Sequence, residues 1–209
     1  MAEHDASRGV LREAVRLLEH HGTARMRRGP GGGLVIQAPT PHAVRRASSL
    51  LLRYQQAGPG DLMAARVALE LSCLDLAAEE VKDPEVAAHL IDTLEAETDP
   101  LTAGTTAGFH HELAEVSGNP ALRLFTQTLL EIHGESVPRH GGPGDPEASL
   151  LDPETSHAAH RAIYQALVAG DLPLAREQLR AHLDDVAEAM AATLRNGEDH
   201  EADQEDVPA

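Results

Sequence analysis

Ahead of four stretches of helical periodicity in this chain, a short polar residue stands directly before a proline: Thr40-Pro41, Asp83-Pro84, Asn119-Pro120 and Asp152-Pro153. Each pair has the chemistry of a helix start. The polar side chain can accept a hydrogen bond from an orphan amide of the first turn. The proline, lacking an N–H, fits the first helical position, where none is needed. Apolar residues at helical spacing follow each pair, so the pattern predicts helices over 40–57, 60–81, 84–97, 102–117, 120–137, 152–169 and 172–195. Residues 138–149, PRHGGPGDPEAS, read as a loop. Aromatic residues make up only 2% of the chain and tryptophan is absent, so a core must rest on Leu, Ala and Val. That composition favours helices over sheets.

The segment before Thr40 follows a different pattern. Residues 8–21 place Val10, Leu11, Ala14, Val15, Leu17 and Leu18 on one helical face, with Arg8, Arg12 and Arg16 four apart on another. Ser7 is positioned as an N-cap and Gly22 as a C-terminal stop. The stretches ARMRR and LVIQA, joined by GPGGG, predict a two-stranded hairpin. A helix followed by a basic hairpin is the second half of a winged helix-turn-helix.

Charge divides the chain in the same way. Residues 1–53 carry nine Arg against four acidic residues, a net of +5. The rest carries eight basic and thirty acidic groups, a net of −22. Only the N-terminal segment is therefore suited to meet a polyanion. The single cysteine, Cys73, excludes an internal disulfide and points to a reducing cytoplasm. No apolar run is long enough to span a bilayer. The last stretch, NGEDHEADQEDVPA, is acidic and lacks apolar periodicity, which predicts disorder over 196–209.

Several separated stretches, in order, resemble GntR-family transcriptional regulators of the FadR subfamily. SRGVLREAVRLLE resembles the recognition helix and MRRGPGGGLVI the wing. LMAARVALELSCLDLAAEE, FHHELAEVSGNP and HRAIYQALVAGDLPLAREQLRAHL resemble stretches of the effector domain. The resemblance implies a partial winged helix-turn-helix over 1–38, an all-α effector-binding bundle over 39–195 and the acidic tail. It implies a cytoplasmic, homodimeric, ligand-responsive repressor rather than an enzyme. The resembled head carries two more helices ahead of the recognition helix, so DNA binding by this chain is expected to be weak and strongly salt-dependent. The alternative is a truncated effector-binding or dimerisation module without DNA binding.

The same resemblance names site residues. Ser7, Arg8, Arg12, Arg27, Arg28 and Gly31 would meet DNA, with Gly9 standing where the family often has Thr. Arg16 reads instead as pairing with surface acids such as Glu19. His110, His160 and His182 match the spacing of a metal-binding branch of the effector domain. The family pattern adds an Asp one turn before the first His, and this chain has Thr106 there. Three imidazoles without a carboxylate suit zinc or nickel better than calcium or magnesium. They could instead line an anion pocket without metal. Arg66 would bind a small organic-acid effector, with Thr106 nearby; its other reading is an i,i+4 surface pair with Glu70. His111 and His157 read as facing elsewhere, and His133, His140 and His200 as loop or surface residues. A metal-dependent hydrolase is a third reading, but no Glu or Asp is obviously placed as a general base beside the three histidines, and no nucleophile motif appears.

Overall fold

The structure, a computed structural model, describes residues 7–38, 41–97, 106–136 and 150–205. The chain divides into two compact units, Met1–Gln55 and Gln56–Ala209.

The first unit opens with helix α1 (Arg8–His20), capped by Ser7, whose hydroxyl accepts from the Val10 amide. Gly22 follows with φ 68, a left-handed conformation that glycine tolerates without strain. Strands β1 (Ala24–Arg27) and β2 (Gly33–Ile36) then pair antiparallel, Ala24 opposite Ile36 and Arg27 opposite Gly33. The turn is tight: a Cβ on Gly32 would sit 2.4 Å from the Arg27 carbonyl oxygen. Polar bonds tie the helix to the hairpin. Glu19 accepts from the Met26 amide at 2.9 Å, and Gln37 donates to the Gly22 carbonyl at 3.1 Å. Helix α2 (His42–Tyr54) completes this unit. The sequence pattern places that helix with the effector bundle; in the structure it groups with the helix and hairpin. Thr40, its expected cap, lies outside the described residues, and Pro41 takes the cap position.

The second unit is all helical: α3 (Pro59–Glu80), α4 (Pro84–Glu97), α5 (Thr106–Val116), α6 (Pro120–Ser136), α7 (Pro153–Val168) and α8 (Leu172–Glu205). The remaining polar-proline pairs start helices as expected. Asp83 Oδ1 accepts from the Glu85 amide, Asn119 Oδ1 from Ala121 and Leu122, and Asp152 Oδ2 from Thr155. A core of Leu74, Leu90, Phe109, Leu113, Ile163, Leu167, Leu179 and Leu183 is fully enclosed. Helix α8 continues to Glu205, ten residues past the expected end. The acidic stretch is built largely from Glu, Ala, Asp and Gln, and Glu, Ala and Gln are good helix formers even without an apolar face. Residues 206–209 and the expected loop over 138–149 lie outside the described residues.

Named contacts fix the helix directions. Glu70 meets His110 and Glu80 lies against Gly118, so α3 and α5 run parallel. Asp75 meets Arg176 while His182 reaches the His110 level, so α8 runs antiparallel to α3. The link Ala169-Gly170-Asp171, with Gly170 at φ 79, reverses the chain between α7 and α8.

Candidate metal and effector site

His110 on α5, His160 on α7 and His182 on α8 converge in the interior of the second unit, each no more than 3% exposed. His160 Nε2 lies 3.1 Å from His182 Nε2, which lies 3.4 Å from His110 Nε2. Nitrogens bound to one ion at about 2.0–2.1 Å are separated by roughly 3.0–3.4 Å. Two of the three pairs have that separation, and one ligand nitrogen from each ring lies within 4.8 Å of the others, an arrangement in which three imidazoles can reach one divalent transition ion.

The rings are held in place by their neighbours. Phe109 lies flat on His160, with centroids 4.1 Å apart and planes 4° apart. Tyr164, one turn from His160 on α7, braces Phe109 by donating to its backbone carbonyl at 3.2 Å. His182 stacks on His110 at 5.4 Å, and His160 meets both edge-on.

Beneath this trio lies a buried ion pair on α3. Glu70 Oε2 is 2.6 Å from His110 Nδ1, and its Oε1 accepts from Arg66 Nε at 2.5 Å. Arg66 is 1% exposed and Glu70 fully buried. Burial alone pushes the Glu70 carboxyl up, but the Arg66 and His110 charges and hydrogen bonds outweigh it and hold the group at about 2. The i,i+4 spacing with Arg66 was legible in sequence, and the apolar run around it pointed to burial of Arg66 rather than to a surface pair. The second bond of Glu70, across forty residues to His110, was not legible. Glu70 is the site residue that sequence reasoning missed. The apolar run around it was the available signal, because an ionised pair inside such a helix must be mutually compensated.

Thr106 opens α5 one turn before His110, and its side chain lies outside the described residues. His157 faces away from the trio, its Nε2 2.9 Å from Arg161. His111 is only half-buried. His133, expected in a loop or at the surface, is instead 3% exposed within α6. It shares a face with buried Thr126 and Leu130, at the spacing by which a helix buries one side. Cys73 Sγ lies 3.6 Å from Thr126 Oγ1 between α3 and α6. Counting seven residues along each antiparallel helix from that pair brings His133 level with Arg66. Ser156, one turn before His160, falls at the same level and is 1% exposed. Its hydroxyl has no hydrogen-bond partner among the described residues. His140 and the side chain of His200 lie outside the described residues.

A separate groove of about 430 Å³ lies further along α3 and α5, lined by Glu80, Glu85, Glu112, Glu115, His89, Val86, Val116 and Gly118. Its four carboxylates give it the wrong charge for an anionic effector.

In the first unit, Arg8, Arg12 and Arg28 are exposed. Arg27 folds back to donate to the Gly31 carbonyl at 2.6 Å, so it also shapes the turn. Arg16 pairs with Glu13 at 2.7 Å, because Glu19 is engaged by β1. Among the described residues, no helix is long and apolar enough to cross a membrane.

A helix-and-hairpin unit together with an all-helical bundle enclosing a histidine trio is the architecture of a transcriptional regulator with an effector domain. The family model described as "FCD domain" matches residues 61–185 and takes in Arg66, Glu70 and all three histidines. The chain belongs to the FCD-domain family of GntR regulators, a family of regulators rather than enzymes. It is similar to the HTH-type transcriptional regulator YcbG of Bacillus subtilis, at 27% identity over 85% of this chain and 71% of that one. Its fold is similar to that of a solved GntR protein of Streptococcus agalactiae, with a TM-score of 0.56 and 21% identity over 88% of this chain and 83% of that one.

Proposed function

We propose that this chain is a cytoplasmic, homodimeric repressor of the FadR subfamily, whose helical unit senses a small organic acid through a bound metal. The observation that carries the sensing half is the convergence of three buried imidazole Nε2 atoms within the family-matched region. His110, His160 and His182 would hold zinc or nickel, a borderline ion suited to three nitrogens and no carboxylate. The ion would supply positive charge and open positions for an anionic ligand. Arg66, the only buried arginine among the described residues, would meet the effector carboxylate, with Thr106 and the Ser156 hydroxyl at its level. Effector binding would act on DNA only through a different affinity for two states of the regulator.

Ser7, Arg8, Arg12, Arg27, Arg28 and Gly31 would form the DNA surface, with arginines reading base edges or phosphates and the glycine turn approaching the backbone closely. The test joins both halves. Purified chain should carry close to one transition metal, lost in His160→Ala, and should bind DNA in a salt-sensitive way that Arg8→Ala/Arg12→Ala abolishes. Metal-free protein that zinc and nickel fail to stabilise would sink the metal centre. DNA affinity unchanged in the double variant would sink the assignment of those arginines.

One observation favours a second reading, an effector-binding or dimerisation module that does not bind DNA. Helix α1 has no buried residue, so its orientation rests on few contacts. A folded, metal-binding chain with no measurable DNA affinity at low salt would select it.

A further inference from the structure

We propose that Glu70 is a positioning residue of the metal site, fixing the tautomer and orientation of His110 so that its Nε2 presents a lone pair toward His160 and His182. The proposal rests on the metal reading above and extends it to a residue outside the ligand set. A carboxylate only accepts hydrogen bonds, so the 2.6 Å approach of Glu70 Oε2 places the ring proton on His110 Nδ1. In a neutral imidazole the other nitrogen then carries the lone pair. Without that acceptor the ring is able to hold its proton on Nε2. The lone pair would then be withdrawn, and an N–H would point at His182 Nε2 only 3.4 Å away.

Arg66 serves the same end from one step further out. It bonds the opposite oxygen of Glu70, so the carboxylate is held at both ends and cannot rotate away from His110. It also cancels the charge of Glu70. The pair orients a ligand while adding no net negative charge, and the ion keeps its attraction for an anion. This gives Thr106 a physical context: the chain lacks a carboxylate at that position, yet has one behind His110. A carboxylate that holds a metal-binding histidine by its far nitrogen is worth about 10- to 100-fold in metal affinity.

The test uses the full chain and zinc, with affinity read by competition against a chromophoric chelator and the His110 tautomer by ¹⁵N NMR of metal-free protein. Glu70→Leu alone would strand the buried Arg66 charge, so the comparison is between Arg66→Met and Arg66→Met/Glu70→Leu. The double variant is expected to bind zinc about 10- to 100-fold more weakly than the single one, with helical content retained. Glu70→Gln, whose amide donates as readily as it accepts, should weaken zinc in the same direction by less. Metal-free parent should show His110 protonated on Nδ1, and the double variant a mixture of tautomers. If the folded double variant binds zinc as tightly as Arg66→Met while His160→Ala does not, the metal reading stands and the role of Glu70 falls. If the parent binds neither zinc nor nickel, the metal reading falls and takes this role with it. Should the double variant fail to fold, the parent spectrum decides: a neutral His110 ring with its proton on Nε2 rather than Nδ1 overturns the proposal.

Discussion

The two units are organised by different forces. In the second, leucines from several helices are fully enclosed, and even an arginine, a glutamate and four histidines are buried among them. In the first, Ala24 is the only buried hydrophobic residue among those described, while Val10, Leu11 and Leu17 are each more than half exposed. There, shape comes from caps, a tight glycine turn and a few polar bonds between helix and hairpin. Burial of apolar surface is the main favourable term in folding, and an isolated two-stranded hairpin is marginal. The contrast teaches that one amphipathic pattern can define a helix in either unit, but only the second unit gives the pattern a partner.

The largest expected effect separates the units directly. Leu179→Ala, at a fully enclosed site, should cost about 2–5 kcal/mol of unfolding free energy. Leu11→Ala, more than half exposed in α1, should change it by less than about 0.5 kcal/mol. Chemical denaturation of both variants checks the pair. Equal losses would mean that α1 is packed against something the contrast leaves out.

Acid should act on the buried ion pair, which only the second unit has among the described residues. Glu70 is held at about 2 against an ordinary value of 4.5. Its contribution is therefore complete above 4.5 and disappears as pH falls toward 2. The stability gap between the parent and Arg66→Met/Glu70→Leu should narrow across that interval. A gap that stays constant through the interval would show that Glu70 does not titrate as the geometry requires.

The smallest effect is at the caps. Asp152→Ala removes the cap of α7 and Ser7→Ala that of α1, each worth about 1 kcal/mol. Because α7 is part of a shared core, the first should shift the main unfolding midpoint. The second should lower helicity near α1 and leave that midpoint in place. Hydrogen exchange resolved by residue distinguishes the two.

These differences also mark what was legible in sequence. Helix starts were read well because a cap is local: Asp83, Asn119 and Asp152 need only the amides two or three residues ahead. The histidine trio was named from its resemblance to the spacing of a metal-binding branch; the short link Ala169-Gly170-Asp171 between α7 and α8 lets His160 and His182 meet at one level. His133 was missed because a single histidine carries no sign of which face it occupies, and α6 turns that face inward. Glu70 was missed because i,i+4 spacing shows only its bond to Arg66, while its bond to His110 spans forty residues. The assignment of α2 and the end of α8 turn on long-range packing and on propensity without amphipathicity, to which periodicity is blind.

The scarcity of aromatic residues gives the chain a built-in optical label. It has no tryptophan and only two tyrosines, and these fall one in each unit. Tyr54 is 85% exposed in the first, while Tyr164 is fully buried against Phe109 in the second. A dissolved quencher such as acrylamide reaches one and not the other. Native tyrosine emission thus divides into a quenchable part from α2 and a protected part beside the histidines. Metal or effector binding can be followed in the protected part without attaching a dye.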